Sequence, residues 1–480
     1  MKKLISLLFA TMLLITPVLA DTTAGAPSNV SLTIYNQDFA LVKENRAMKL
    51  PGGISYLTVP DVAATIDPDS VAFKSITDPN SVVVREQNYR FDVINRNSLL
   101  AKSVGKEIVL DRILPNGSIE TITGVLLSSP ENGLVIRDDK GRVIIDPQGT
   151  IRLKELPEGL VSRPTLVWKL ETTKFGEHTA EVSYLANQIG WSCNYVAVID
   201  PMDKFIDLTG WVTLTNNSGV NYDNATLNLM AGDVRRIQPI RMKAEMYAVG
   251  MARDAAAPEP QFSEKSFFEY HLYTLKDKTT VRDKETKQIT LTSSARIPAK
   301  KLYIYDGRRQ WWDQWRYASE YRPGASYDVS SNKKVNVLIE VVNSKDNNLG
   351  IPLPKGKIKV YKQDSTVNQQ FIGEDQIDHT PKDEKIRLYL GDAFDVVGEH
   401  TRTGFRSLSP NMVEETFEIT LRNHKDTPVN ILAVEHLLGD WKIVQSTHKY
   451  YKKDASTVEI PVEVPANGEV KIDYTARTKW

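Results

Sequence analysis

Cysteine is nearly missing from this chain: Cys193 stands alone in 480 residues. An intramolecular disulfide is therefore excluded, and so is a thiolate metal knot. An excess of one charge is missing too, because 60 Lys and Arg residues meet 60 Asp and Glu residues. That balance argues against nucleic acid or an anionic membrane as the main partner. Beyond Ala20 no apolar run reaches the length of a transmembrane helix. The seven histidines contain no His-Glu-x-x-His pair, no Gly-x-Ser-x-Gly elbow occurs, and Lys355-Gly356-Lys357 lacks the surroundings of a phosphate loop. The familiar signatures of zinc proteases, hydrolases and nucleotide enzymes are thus absent, and no cofactor is expected.

The N-terminus has the pattern of an export signal. Lys2 and Lys3 supply a basic start, Leu4 to Ile15 an apolar run, and Pro17 a break; Val18-Leu19-Ala20 offers small residues for cleavage. Cleavage after Ala20 would leave a slightly acidic product with no transmembrane anchor, periplasmic or secreted. An uncleaved anchor is the competing reading.

The rest of the chain alternates. Three times an asparagine closes such an alternation: Val212-Thr213-Leu214-Thr215-Asn216, Ile339-Glu340-Val341-Val342-Asn343 and Ile419-Thr420-Leu421-Arg422-Asn423. Apolar residues at every second position mark one buried strand face. The asparagine can satisfy turn backbone groups and tolerates a left-handed conformation. This punctuation predicts an all-β, multi-domain chain of Ig-like β-sandwich modules. Residues 21–95 read as an N-terminal β-domain. Residues 96–162 read as one helical turn and five tightly turned strands, a small SH3-like or Sm-like barrel near the N-terminus. Residues 163–405 read as a large sandwich body with insertions at 235–264 and 307–330, the first a mobile loop. Residues 406–480 read as an Ig-like sandwich without its disulfide, with Pro465-Ala466-Asn467-Gly468 turning the last two strands as a hairpin.

Tyr184 to Tyr195, Gly210 to Gly219, Glu269 to Leu275, Leu353 to Tyr361 and Leu388 to Asp395 form an ordered set of stretches. Together they resemble the DUF4139 family of exported, uncharacterised bacterial β-proteins. The resemblance spans the chain from about Thr165 onward and implies export and β-architecture, with no catalytic residues to carry over. The coiled coil that precedes this region in some relatives has no heptads here.

Candidate sites are few. Trp311, Trp312, Trp315, Tyr317, Tyr321 and Tyr327 crowd into 307–330 with Arg308, Arg309, Arg316 and Arg322. Exposed, these rings would offer flat faces to a sugar or protein partner; buried, they would close an end of the sandwich. His379 beside Asp378 and His400 beside Glu399 would form a metal cluster only if the fold joined them. Cys193, alternating with Trp191 and Tyr195, reads as core rather than as a nucleophile. Asp346-Asn347-Asn348-Leu349-Gly350 lacks the closing acid of a calcium loop and reads as an Asn-rich hairpin. The function expected is a non-enzymatic cell-envelope scaffold, structural or partner-binding, toward an envelope protein or polysaccharide. The alternative is a glycan-binding or glycan-processing protein using the aromatic insertion. N-terminal sequencing of the exported form is expected to begin at Asp21; a form that retains Lys2 and Lys3 would overturn the cleaved reading.

Overall fold

The computed structural model describes residues 20–128, 133–236, 261–307, 332–364, 366 and 368–479. These residues are overwhelmingly strand, as the alternation predicts. They fall into two compact units. The first runs to Trp191 and adds Leu214–Met230 and Leu272–Lys287; the second holds Ser192–Thr213, Ala231–His271 and Gln288–Trp480.

The first unit opens with β1 (Ala20–Thr23), β2 (Ser28–Tyr35), β3 (Phe39–Leu50), β4 (Gly53–Pro60), β5 (Ala72–Ser75) and β6 (Val82–Arg90). Next comes α1 (Arg96–Ala101) with β7 (Glu107–Ile113), β8 (Ile119–Ser128), β9 (Val135–Asp138), β10 (Val143–Ile145) and β11 (Thr150–Leu153). Then follow β12 (Thr165–Thr172) and β13 (Gly176–Asn187). One sheet has the order β1-β4-β12-β6, and a second contains β2-β3-β13-β5. Strands from before residue 95 and after residue 162 therefore share both sheets. Leu57, Leu170 and Trp168 of the first sheet are buried, as are Leu32, Val42 and Val182 of the second. Phe73 on β5 meets Trp168 edge-on with centroids 5.2 Å apart, so the sheets face each other as a sandwich.

The inward face of β3 departs from simple alternation. Val42, Met48 and Leu50 are buried there, but so are Glu44 and Arg46. Arg46 Nε donates to Glu44 at 2.8 Å, Nη1 to the Gly25 carbonyl at 3.2 Å and Nη2 to the Asp61 carbonyl at 3.4 Å. Burial still pushes the Glu44 carboxyl above its ordinary value, against the pull of Arg46.

Residues 95–160 are inserted into a hairpin. β6 and β12 pair antiparallel, with Arg90 opposite Thr165. Just beyond, Ile94 N–H donates to the Val161 carbonyl and Val161 N–H to the Asp92 carbonyl, each at 3.0 Å. The inserted module has its own core of Leu100, Ile108, Leu110, Leu126, Leu134 and Ile136. Its sheet order, β10-β9-β8-β7-β11, matches the expected helix and five strands. The barrel itself is corrected: the sheet stays open, with β10 and β11 as its two ends. β10 is only three residues long, and the chain leaves it through Pro147, which has no N–H to give to a closing ladder. Asp146 extends the β9 pairing instead: its N–H reaches the Leu134 carbonyl and its Oδ1 accepts Leu134 N–H at 2.9 Å.

The chain continues through β14 (Ile189–Ile199), β15 (Phe205–Asn216), β16 (Tyr222–Ala231), β17 (Phe262–Phe267), β18 (Tyr270–Leu275), β19 (Thr279–Val281) and β20 (Glu285–Asp306). β17 begins inside the stretch expected to be loop to Glu264; residues 237–260 of that stretch lie outside the described residues. β21 (Lys334–Val342), β22 (Gly356–Gln363), β23 (Gln369–Ile377), β24 (Lys385–Ser409) and β25 (Met412–Asn423) follow. The last are β26 (Val429–His436), β27 (Asp440–Ser446), β28 (Tyr451–Lys452), β29 (Thr457–Val464) and β30 (Gly468–Lys479). Cys193 on β14 is buried and pairs in parallel with Gly356 of β22. Burial pushes its thiol up to about 12, so it is core.

The chain ends in a β-sandwich. β24-β25-β30-β27 form one sheet, facing β26, β29 and β28. Phe417, Ile419, Leu421, Ile431, Val462 and Ile472 belong to its core. Gly398 on β24 is a close-approach position: a Cβ there would meet the buried Tyr305 ring at 2.1 Å. The hairpin expected at Pro465 to Gly468 is corrected. β29 pairs with β26 and β28, whereas β30 pairs with β25 and β27, so the turn is a corner between sheets. The Asn-rich hairpin at 346–350 is corrected likewise. It is one 3-10 turn, Lys345–Asn347, with Asn348 left-handed at φ 61°, and it joins β21 to β22, which do not pair.

The three strand-closing asparagines are all buried. Asn216 Nδ2 donates to the carbonyls of Val220 and Val281, and its Oδ1 accepts Ser218 N–H at 3.0 Å. Asn343 Nδ2 donates to Ile351 at 2.7 Å and Pro381 at 2.9 Å, and Oδ1 accepts Gly350 N–H. Asn423 Nδ2 donates to Thr427 at 2.8 Å and Pro465 at 3.0 Å, and Oδ1 accepts Lys425 N–H. Each side chain fixes its own turn and ties it to a second, distant connection. Replacing Asn423 by Ala leaves buried carbonyls unpaired and is expected to cost about 2–4 kcal/mol in urea unfolding. Asn423→Asp should cost more at neutral pH, because a carboxylate would face carbonyl oxygens. Unchanged midpoints for both variants would refute the bracing role.

Candidate functional site

The aromatic candidates Trp311, Trp312, Trp315, Tyr317 and Tyr321 lie outside the described residues, as do the arginines between them. Candidates are therefore weighed among the remaining concave and charged places.

The fold does not join His379 and His400 into one site. His400 is buried in the closing sandwich, its Nε2 3.3 Å from Glu435 Oε1, and Tyr474 donates to Glu435 Oε2 at 2.6 Å. The imidazole leans on Phe417 at 5.1 Å, in a packed core rather than a cleft. Glu399 points elsewhere, to Arg422 at 2.6 Å. His379 accepts Lys355 N–H on Nδ1 at 3.2 Å, while Lys355 Nζ pairs with Asp233 at 3.0 Å. Burial, and then the Lys355 ammonium, push the His379 pKa below its ordinary value, so it is neutral near pH 7. Among the described residues no group of three or more His, Cys, Asp or Glu is placed to hold a metal.

A cleft of about 160 Å³ in the second unit places two carboxylates near each other. Asp203 accepts from Lys362 at 2.6 Å and Lys301 at 3.0 Å. Asp392 accepts from Lys334 at 2.9 Å, Asn336 at 2.7 Å and Tyr389 at 2.9 Å. Burial works to raise both, but the hydrogen bonds and charges of these donors outweigh it and hold both below the usual carboxylate range. A glycosidase needs one carboxyl kept protonated as the acid. Two carboxylates pushed the same way do not provide it.

A concavity of about 670 Å³ lies on the inserted module. Asn95 builds one wall by capping α1: its Oδ1 accepts Asn97 and Ser98 N–H, and Ser98 Oγ accepts Asn95 N–H. Leu100 belongs to the module core, and Arg96, Leu99 and Leu100 of this helix line the groove. The opposite wall is β11, where Ile151 and Leu153 alternate with exposed Thr150 and Arg152. Arg152 turns to Asp111 at 2.8 Å, outside the groove lining. Lys154, Glu155 and Leu156 form the lip, and Leu156 is 58% exposed. Lys154 is paired with Glu107 at 2.6 Å and Glu155 with Lys106 at 3.8 Å. The groove is thus apolar at its floor and charged along its rim. The sequence reading did not select these residues. The capping pattern and the alternation at 150–153 were visible, but nothing local shows that α1 and β11 stand apart.

No family model matches the chain, and no curated protein matches it. Among the described residues no helix is long and apolar enough to cross a membrane.

The Asp203 ion pairs generate a pH prediction. Because the folded pKa is depressed, their stabilisation is present above the unfolded value of about 3.9 and is lost as pH falls through the folded value. Asp203→Asn should lower stability by about 1 kcal/mol at neutral pH, discounted for partial exposure. The difference should vanish in strong acid, read from unfolding midpoints across pH. A difference that persists unchanged in acid would contradict the linkage.

Proposed function

We propose that this chain is an exported, non-enzymatic cell-envelope scaffold that binds a protein partner through the module at residues 95–160. The carrying observation is architectural: a module with its own core sits on a two-strand neck and presents a groove of about 670 Å³. A sandwich that needed those residues only for stability would interleave them with its sheets, as it does β12 and β13. Here the inserted strands hydrogen-bond into a sheet of their own. Concave apolar grooves with polar rims are the usual form of recognition sites. The basic start, apolar run and small residues before Asp21 support export, and the DUF4139 resemblance agrees. The ion-paired carboxylates of the second unit favour a non-catalytic reading.

Site-specific photocross-linking in intact cells tests this reading. A photoreactive residue at Leu156 is expected to give a discrete protein adduct, and one at exposed Met202, far along the chain, is expected to give none. Equal adduct patterns at both positions, or none at Leu156, would remove the module from the binding role.

A further inference from the structure

The groove is bounded by a sheet edge, and that decides what can fill it. Among the described residues β11 has a single strand neighbour, β7, with Thr150 opposite Asp111 and Leu153 opposite Ile108. The outward backbone N–H and C=O groups of β11 therefore meet no strand, directly beside the apolar floor. An occupant must satisfy this row of donors and acceptors while burying apolar side chains against Leu99, Ile151, Leu153 and Leu156. An extended peptide does both at once, because its side chains alternate while its backbone continues the ladder. Charge selects further: Lys154 and Glu155 already have partners, whereas Arg96 has no ion-pair partner among the described residues and stands on the lining.

We propose that an extended peptide segment of a partner adds as a strand to the free edge of β11, with apolar side chains at alternate positions and a carboxylate received by Arg96. This rests on the partner-binding reading above and names the class of partner. The other free edge of the same sheet, β10 of a second copy, fits less well. It offers only three residues, and Arg142 before it is already paired with Asp138 at 2.7 Å, so that edge brings no carboxylate for Arg96.

The test uses the full mature chain and a fluorescein-labelled nonapeptide of alternating leucine and threonine that ends in two aspartates. Saturable anisotropy is expected. N-methylation of alternate backbone amides, on the strand edge facing β11, should weaken binding about tenfold or more, because it removes the ladder without changing side chains. Arg96→Glu should weaken the aspartate-ended peptide about fivefold and favour a lysine-ended one, a swap that a folding defect would not produce. Leu156→Asp, at an exposed position, should abolish binding. Absence of saturable binding, or binding indifferent to N-methylation on either set of amides, would overturn the proposal. So would self-association in sedimentation that disappears in Ile145→Asp, which would assign the edge to a second copy. A Leu156 photo-adduct without peptide binding would sink strand addition and leave the scaffold reading standing.

Discussion

A buried asparagine at the end of a strand is the interaction on which this architecture depends. Strands end, and where they end inside a sandwich their turns bring carbonyls away from water. Asn216, Asn343 and Asn423 each answer with one amide. Its two N–H donors reach carbonyls of the local turn and of a connection from elsewhere, such as Val281, Pro381 or Pro465. The carbonyl oxygen of the same amide closes the turn on a backbone N–H. No apolar residue could do this, and aspartate could do only half. A chain with no disulfide thus holds distant loops together with neutral hydrogen bonds, which cost less to bury than charges.

Two buried polar groups follow a different logic. Glu44 with Arg46, and His400 with Glu435 and Tyr474, sit among apolar strands. Such pairs add little net stability, since desolvation consumes most of the attraction. They do penalise any register that would leave one member unpaired. In strands where a one-residue slip turns every side chain over, that penalty discriminates between pairings.

The inserted module is the least interleaved part of the described chain, and this is why it carries the functional reading. Its helix cap, open sheet and apolar floor are separate local features, but together they leave a strand edge beside a groove. Edges left open in this way are a liability unless something covers them. Asp203 and Asp392 of the second unit, by contrast, are held by lysines and hydrogen-bond donors that keep both carboxyls below their ordinary range.

Periodicity made the strands legible, because side-chain alternation is a local consequence of the pleat. The short runs at 150–153 and 458–464, the asparagine stops and the lone buried cysteine could all be read from neighbours in sequence. Pairing could not. The same alternating residues fit a hairpin or two opposed sheets, so Pro465 to Gly468 looked like a turn between partners and is a corner between sheets. Nor could closure be read, since β10 and β11 are joined by only a few residues and yet do not pair. The groove belongs to this second class. Leu99 and Leu156 lie more than fifty positions apart, and only the tertiary structure sets them across one cleft. Sequence determined which faces are greasy and where strands stop, because those depend on adjacent residues. The fold decided which faces meet and which edge stays open, because those depend on residues far apart.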